Sequence, residues 1–306
     1  MKAAEHPPAD ERTEVGLVGL RVMGSAIGRR LLDTGHRLTV HDVRTEAMDL
    51  FAAAGAATAA TPRDLSRCDV VVLSLNTTAL VEEVVFGARG VLAQNATDLL
   101  IIDMSSITPA GTRDLAARAH DRGASWVDAP LSGGSPAVAR GELTLMLGGG
   151  TEDVARATPV LADLASRITH IGPAGAGQVV KLVNQVLVGC GFAAIAEAAA
   201  LVRAADLPAD RVVAALSGGR ADSALLQEFF LKFAHLDLTP TGRVSDMVKD
   251  LETARDYAVS ANVPLPVTTT VSELHRWLAA AGHGDADNAA LMLYYVAAKQ
   301  PGRGIS

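Results

Sequence analysis

At 306 residues the chain is long enough for one large domain or two ordinary ones with a substantial core. It is 49% hydrophobic, 20% charged and only 4% aromatic, so small aliphatic side chains rather than rings must fill its interior. A formal net charge of −7, with no cluster of lysine and arginine, argues against nucleic acid or an anionic membrane as the main partner.

Residues 1–13 are polar and hold Pro7 and Pro8, which predicts a disordered leader with no signal peptide, and a cytoplasmic protein. Glu14 to Gly19 reads as a short buried strand, followed by a glycine turn and a helix from about Ser25 to Thr34. Arg37 to His41 is a second strand ending at Asp42, and Asp69 to Leu75 and Leu99 to Asp103 are further apolar strands. A helix over Pro109 to Arg122 and strands at Ser125 to Asp128 and Leu143 to Leu147 complete an alternation that implies a parallel, doubly wound α/β sheet. After Gly177 the periodicity is helical throughout. It is punctuated at Asp206-Leu207-Pro208, Ser217-Gly218-Gly219, Asn262-Val263-Pro264 and Gly282-His283-Gly284.

The expected organisation is therefore an α/β domain over 14–174 and an all-helical domain over 175–306, entered by a long interdomain helix at about 175–205. A cleft between such domains is a common ligand site. Val186 to Val202 is apolar enough to raise the question of a membrane span, but Glu197 interrupts it and a buried helix is the reading. Cys68 and Cys190 match no metal spacing and are expected as two buried, reduced thiols.

The first strand and turn, Val15-Gly16-Leu17-Val18-Gly19-Leu20-Arg21-Val22-Met23-Gly24, have the form Gly-x-Gly-x-x-Gly with arginine at the second glycine. In that pattern the glycines make the turn and let the backbone approach a pyrophosphate, which sits on the positive end of the following helix. Gly19, Arg21, Val22 and Met23 are thus candidate cofactor contacts, with Arg21 either pairing with the phosphates or blocking the usual pose. Asp42, at the end of the second strand, favours NAD over NADP, because a carboxylate there binds ribose hydroxyls and repels a 2′-phosphate. Arg44, two residues on, is able to meet that phosphate and keeps NADP open.

Two further segments end strands at the same edge of the sheet. Asp128-Ala129-Pro130-Leu131-Ser132-Gly133-Gly134 offers the Ser132 hydroxyl and the backbone N–H groups of Gly133 and Gly134 as a nest for a carboxylate. Asp103-Met104-Ser105-Ser106 reads equally well as a ligand-facing turn or as a helix cap ahead of Pro109. Gly175 to Asn184 opens the long helix, and its Lys181 is costly in such apolar company unless solvated, paired or in use. Beside a bound ligand an ammonium loses its proton more readily, which suits a proton donor or acceptor. Asn184 shares its helix face. Val248-Lys249-Asp250-Leu251, by itself, reads as the solvated start of another helix.

Taken together and in this order, these segments resemble the β-hydroxyacid dehydrogenase family, over about Glu14 to Ala298, and most of all its tartronate semialdehyde reductases, whose late run is matched by Ala286-Asp287-Asn288-Ala289-Ala290. The resemblance implies a Rossmann domain, a helical domain used for homodimer or homotetramer formation, NAD or NADP, and a small carboxylate-bearing substrate. It implies Lys181 as the catalytic lysine, with Asn184 holding substrate or lysine and Ser132, Gly133 and Gly134 on the carboxylate. Leu75, with Asn76 beside it, and Ser106 would line the nicotinamide side of the cofactor path. Lys249 would reach cofactor or substrate, and Asp250 would support the site. No metal is implied.

Departures from the family pattern are Arg21 for glycine, Asn76 for proline, Gln185 for a second asparagine, and Gly242 where relatives carry an aromatic, which widens the expected pocket. Two alternatives accompany the hydroxyacid reading: an imine reductase of similar layout, and a non-catalytic binding protein whose cofactor affinity Arg21 has impaired.

Overall fold

The computed structural model describes residues 13–95 and 98–296. The expected leader, Thr13 apart, and the end of the resemblance at Ala297 and Ala298 lie outside the described residues. The described chain forms two compact units, the first ending at Lys181 and the second beginning at Leu182.

In the first unit the chain order is β1 (Glu14–Val18), α1 (Val22–Asp33), β2 (Arg37–His41), α2 (Thr45–Ala53), β3 (Ala57–Thr58), a 3₁₀ turn (Pro62–Arg67), β4 (Val70–Leu73), α3 (Thr78–Phe86), β5 (Leu100–Asp103), α4 (Pro109–His120), β6 (Ser125–Asp128), β7 (Leu131–Ser132), α5 (Gly134–Arg140), β8 (Leu143–Gly149), α6 (Thr151–Ala162) and β9 (Ala165–Gly172). α7 (Ala176–Ala204) begins in this unit.

The strands join one sheet in the order β3-β2-β1-β4-β5-β6-β8-β7, with β9 paired to β8. β3 to β6 are parallel, as the alternation predicts. Their cores Val-Val-Val-Leu and Leu-Ile-Ile-Asp are wholly buried, the pattern of strands covered on both faces. Ile27, Leu31, Phe51 and Val138 pack on one face, and Leu65, Val81, Leu115 and Trp126 on the other. Strand order reverses between β1 and β4, the switch point at which open α/β sheets bind ligands.

The sheet departs from the purely parallel expectation past β6. β8 runs antiparallel to β6, β7 antiparallel to β8, and β9 parallel to β8. The first helix also begins at Val22 rather than Ser25, so Val22, Met23 and Gly24 are its first turn.

The second unit is helical: the remainder of α7, then α8 (Ala209–Leu216), α9 (Ala224–Ala234), α10 (Val244–Ser260), α11 (Pro266–Leu278), a π turn (Ala279–His283), a 3₁₀ turn (Asn288–Met292) and α12 (Leu293–Val296). Its core gathers Phe192, Phe230, Phe233, Leu251, Leu278 and Leu291. Phe192 lies edge-on to Phe229 at 5.0 Å and stacks with Phe233 at 5.7 Å between centroids. α7 alone among the described helices is long and apolar enough to cross a membrane, and it leaves Val183, Leu187 and Leu201 exposed on this chain. Cys68 is buried, but Cys190 is only partly so, because it sits at the side of α7 against Thr268.

Candidate active site

The turn after β1 shows why two of its three fingerprint positions must be glycine. Gly19 has φ +94°, and a Cβ on it would lie 2.3 Å from the Ser74 carbonyl oxygen. A Cβ on Gly24 would lie 1.7 Å from the Gly19 carbonyl oxygen. Arg21 answers to neither constraint. It precedes α1 with φ −70° and ψ −169°, open to any residue, and its side chain is exposed. Among the described residues no side chain caps the start of α1, so the N–H groups of its first turn are able to receive an anion. Val22 is exposed and Met23 partly so.

Asp42 is buried at the end of β2 and locks this turn. Its Oδ2 accepts from the Leu20 N–H at 2.6 Å, and its Oδ1 accepts from the Arg44 N–H and Nε at 2.9 Å each. Burial pushes its carboxyl up, but the Arg44 guanidinium and these N–H donors outweigh that and hold it below the usual carboxylate range. The residues therefore fit a dinucleotide: a bare backbone at the switch point, an open helix end, and an ionised carboxylate beside them.

Farther along the same edge, the Leu75 N–H donates to Ser105 Oγ at 2.9 Å, and the Ser105 N–H donates to Asp103 Oδ1 at 3.0 Å. Leu75 is therefore fixed by the second sheet-end motif, while Asn76 is exposed and Ser106 partly buried. Sequence reading divided Ser105 and Ser106 between ligand contact and helix cap. The cap of α4 is instead Thr108, whose Oγ1 accepts from the Gly111 N–H at 3.1 Å.

Ser132 lies on β7 opposite Thr144, and Gly133 and Gly134 follow with φ +125° and +68°. That pair of conformations belongs to glycine and carries the chain directly into α5. Lys181 is half-buried near the start of α7, one turn beyond Gln178. Gln178 Nε2 donates to the Ser105 carbonyl at 2.8 Å, which binds this part of α7 to the end of β5.

Within the second unit, Asn184 Nδ2 donates to Gln185 Oε1 at 2.8 Å, Gln185 Nε2 donates to Asp250 Oδ2, and Lys249 Nζ pairs with Asp250 Oδ1 at 3.2 Å. Gln185, read from sequence only as a departure, is thus the link between Asn184 and Asp250. The sequence shows it only as a polar residue within an apolar helix, and the structure shows that it is buried. Lys249 and Asp250 stand in the second turn of α10, which starts earlier than expected at Val244.

Asp287, in the late run, is wholly buried and structural. It accepts from Thr241 N–H and Oγ1 at 2.8 Å each and from the Ala289 N–H at 3.0 Å. It also accepts from the Gly242 N–H at 3.3 Å, and among the described residues a Cβ on Gly242 would meet only Asn288 Nδ2, at 3.3 Å. Among the described residues no group of three or more His, Cys, Asp or Glu is placed to hold a metal ion.

Comparison with known proteins gives this geometry a family. Residues 14–172 match the model described as the NAD binding domain of 6-phosphogluconate dehydrogenase. Residues 175–295 match that described as NAD-binding of NADP-dependent 3-hydroxyisobutyrate dehydrogenase. The chain is 33% identical to an L-threonate dehydrogenase of Cupriavidus necator, over 94% of this chain and 98% of that protein. It is 32% identical to a 2-hydroxy-3-oxopropionate reductase of Escherichia coli (strain K12), over 91% and 96%. A solved structure of Mycobacterium tuberculosis 3-hydroxyisobutyrate dehydrogenase with L-serine superposes with a TM-score of 0.84 at 29% identity, over 92% of this chain and 99% of that one. The chain belongs to the β-hydroxyacid dehydrogenase family and is an NAD(P)-dependent oxidoreductase.

Proposed function

We propose that this member of the β-hydroxyacid dehydrogenase family interconverts a small β-hydroxyacid and its semialdehyde or ketone, with Lys181 as general acid and base. The observation that carries the reading is the position of Lys181. It sits half-buried on the first turns of α7, tied through Gln178 to the strand edge that also presents the glycine turn and the Ser132-Gly133-Gly134 segment.

When bound, the nicotinamide supplies or accepts the hydride at the carbon bearing the oxygen. Lys181 then gives a proton to the carbonyl oxygen in reduction and takes the hydroxyl proton in oxidation. A positioned acid-base group of this kind contributes about 10²–10⁴ in rate. The Ser132 hydroxyl and the N–H groups of Gly133 and Gly134 hold the substrate carboxylate and so fix the reacting carbon. Gly19, Arg21, Val22 and Met23 receive the pyrophosphate, Asp42 the adenosine ribose, and Leu75, Asn76 and Ser106 the path toward the nicotinamide. Asn184 and Asp250 are assigned to substrate, and Lys249 to cofactor or substrate, as the family resemblance implies.

The relatives suggest the substrates to try first: 3-hydroxyisobutyrate, L-threonate, L-serine and D-glycerate, the last being the reduced form of 2-hydroxy-3-oxopropionate. The protein is proposed to be cytoplasmic and a homodimer or homotetramer. The exposed Val183, Leu187 and Leu201 of α7 support assembly through the helical unit, and light scattering after gel filtration tests it.

The chemical assignment is tested with Lys181→Ala, which is expected to fold and to bind NADH with unchanged affinity while its kcat on the best of these hydroxyacids falls by about 10²-fold or more. Turnover within a few-fold of the parent would remove Lys181 from the mechanism.

A further inference from the structure

Asp128 is the last residue of β6 and opens the segment that ends in Gly134. It is fully buried, and its carboxylate is spent on the start of the helix that carries Lys181. Oδ1 accepts from the Gly175 N–H at 2.8 Å, and Oδ2 accepts from the Gln178 N–H at 3.0 Å. These are the N–H groups that the beginning of a helix leaves without partners, and a buried carboxylate is the strongest acceptor a protein has for them.

The socket is shaped for that carboxylate. A Cβ on Gly148 would lie 2.4 Å from Asp128 Oδ1, and one on Gly177 would lie 2.7 Å from Oδ2 and 2.2 Å from the Met146 carbonyl oxygen. Any larger residue at either position would drive the carboxylate away from α7.

Asp128 is also the first residue of the segment that ends in Ser132, Gly133 and Gly134. One side chain therefore joins the two proposed halves of the chemistry. Its backbone leads into the carboxylate nest, and its carboxylate holds the helix one turn before Lys181. We infer that Asp128 is a positioning residue: it sets the placement of Lys181 relative to the substrate-binding turn, without touching substrate or cofactor. The inference rests on the reading of Lys181 as the acid-base group.

Nothing in local sequence pattern shows this contact, which joins residues 47 and 50 positions apart. Asp128→Asn tests it. The amide keeps the size and one acceptor but presents an N–H to a second N–H, so the start of α7 must shift. A misplacement of order 1 Å costs about 10²-fold in rate.

The expected result for Asp128→Asn has three parts, all measured on the intact protein with NAD⁺ and the best hydroxyacid of the panel. The Kd for NADH, by fluorescence, stays within about threefold of the parent, since the Gly19–Gly24 turn lies elsewhere on the edge. The kcat falls by about 10²-fold. The deuterium isotope effect on kcat, from substrate labelled at the carbinol carbon, rises as hydride transfer becomes limiting.

A kcat within threefold of the parent overturns the inference. So does a kcat loss matched by an equal loss of NADH affinity, which marks a general structural defect. If the variant does not fold, hydrogen exchange on the parent decides: the Gly175 and Gln178 amides must be protected as strongly as those of β6, and fast exchange there overturns the proposal. Lys181→Ala separates the two claims. If that variant is inactive while Asp128→Asn keeps full kcat, the positioning role alone fails. If Lys181→Ala retains its turnover, the reading on which the role rests fails first.

Discussion

Two stretches of one sheet edge use buried aspartates in opposite ways. At the end of β2, Asp42 is surrounded by donors and held ionised by Arg44 and two backbone N–H groups. At the ends of β5 and β6, Asp103 and Asp128 are register neighbours, both wholly buried, with no cation among the causes that shift them. Burial pushes Asp103 up to about 7, with Asp128 adding to it, and among the described residues Asp103 Oδ2 has no hydrogen-bond partner. Burial raises Asp128 too, against the pull of the Gly175 and Gln178 N–H groups. The first stretch is a buried anion at the edge proposed to meet the cofactor. The second is an internal strut that holds the start of a helix, and its carboxyls are raised by burial.

The largest way to break that contrast is Asp103→Asn. A carboxyl raised in the folded state releases its proton later than in the unfolded chain, so the folded form binds more protons between 3.8 and about 7. Stability is therefore highest below the unfolded value, falls as pH rises toward 7, and is flat beyond. For a fully buried group moved that far the loss is of order 4 kcal/mol. The amide cannot ionise, so the gap between the urea midpoints at pH 5 and pH 8 that Asp103 causes should close in the variant, leaving a smaller slope of the same sign from Asp128 and one of opposite sign from His275, whose burial lowers its pKa. An undiminished fall from pH 5 to pH 8 would show that Asp103 is not the carrier.

How legible these two stretches were in the sequence follows from the range of the forces that built them. The glycine turn, Asp42, and the Ser132-Gly133-Gly134 segment are local backbone demands, such as positive φ at Gly19 and Gly133, and local demands leave local signatures. The Arg21 exception also resolves locally: its φ and ψ are ordinary, so the fingerprint's middle glycine is needed for closeness to a ligand and not for the turn itself. The strut was illegible because its partners are distant in sequence. β9 went unread for a different reason. Ala-Ser-Arg-Ile-Thr-His-Ile-Gly is largely exposed and gives no apolar run, and only its pairing with β8 makes it a strand. In the helical unit the punctuation between helices was plain. The relay Asn184–Gln185–Asp250 was not, since it depends on α10 lying beside α7.

A smaller test concerns Asp42, the proposed ribose contact. Four N–H donors, from Leu20 N and from Arg44 N, Nε and Nη2, occupy the roughly four lone-pair positions of its carboxylate. A ribose must therefore compete with Arg44, and a 2′-phosphate can recruit it. Arg44→Ala removes two of those donors and the positive charge together. The Kd for NADH is expected to improve and that for NADPH to weaken, moving the preference toward NAD by about tenfold. An unchanged ratio of the two dissociation constants would mean that Arg44 serves Asp42 alone.

The smallest expected effect is that of Arg21→Gly. Glycine is at least as favourable as arginine ahead of a helix, so α1 should not suffer, and among the described residues the guanidinium makes no hydrogen bond or ion pair. Any change in cofactor affinity then belongs to the arginine and the pyrophosphate. An exposed cation beside an anion contributes modestly and is screened by salt, so NADH binding should weaken by about threefold at low salt and match the parent near 0.5 M, where the Debye length is about 4 Å. A tenfold gain in affinity, insensitive to salt, would mean that the side chain stands in the path of the pyrophosphate. The first stretch would then differ from the strut in one more respect, carrying a residue that works against the cofactor it is proposed to meet.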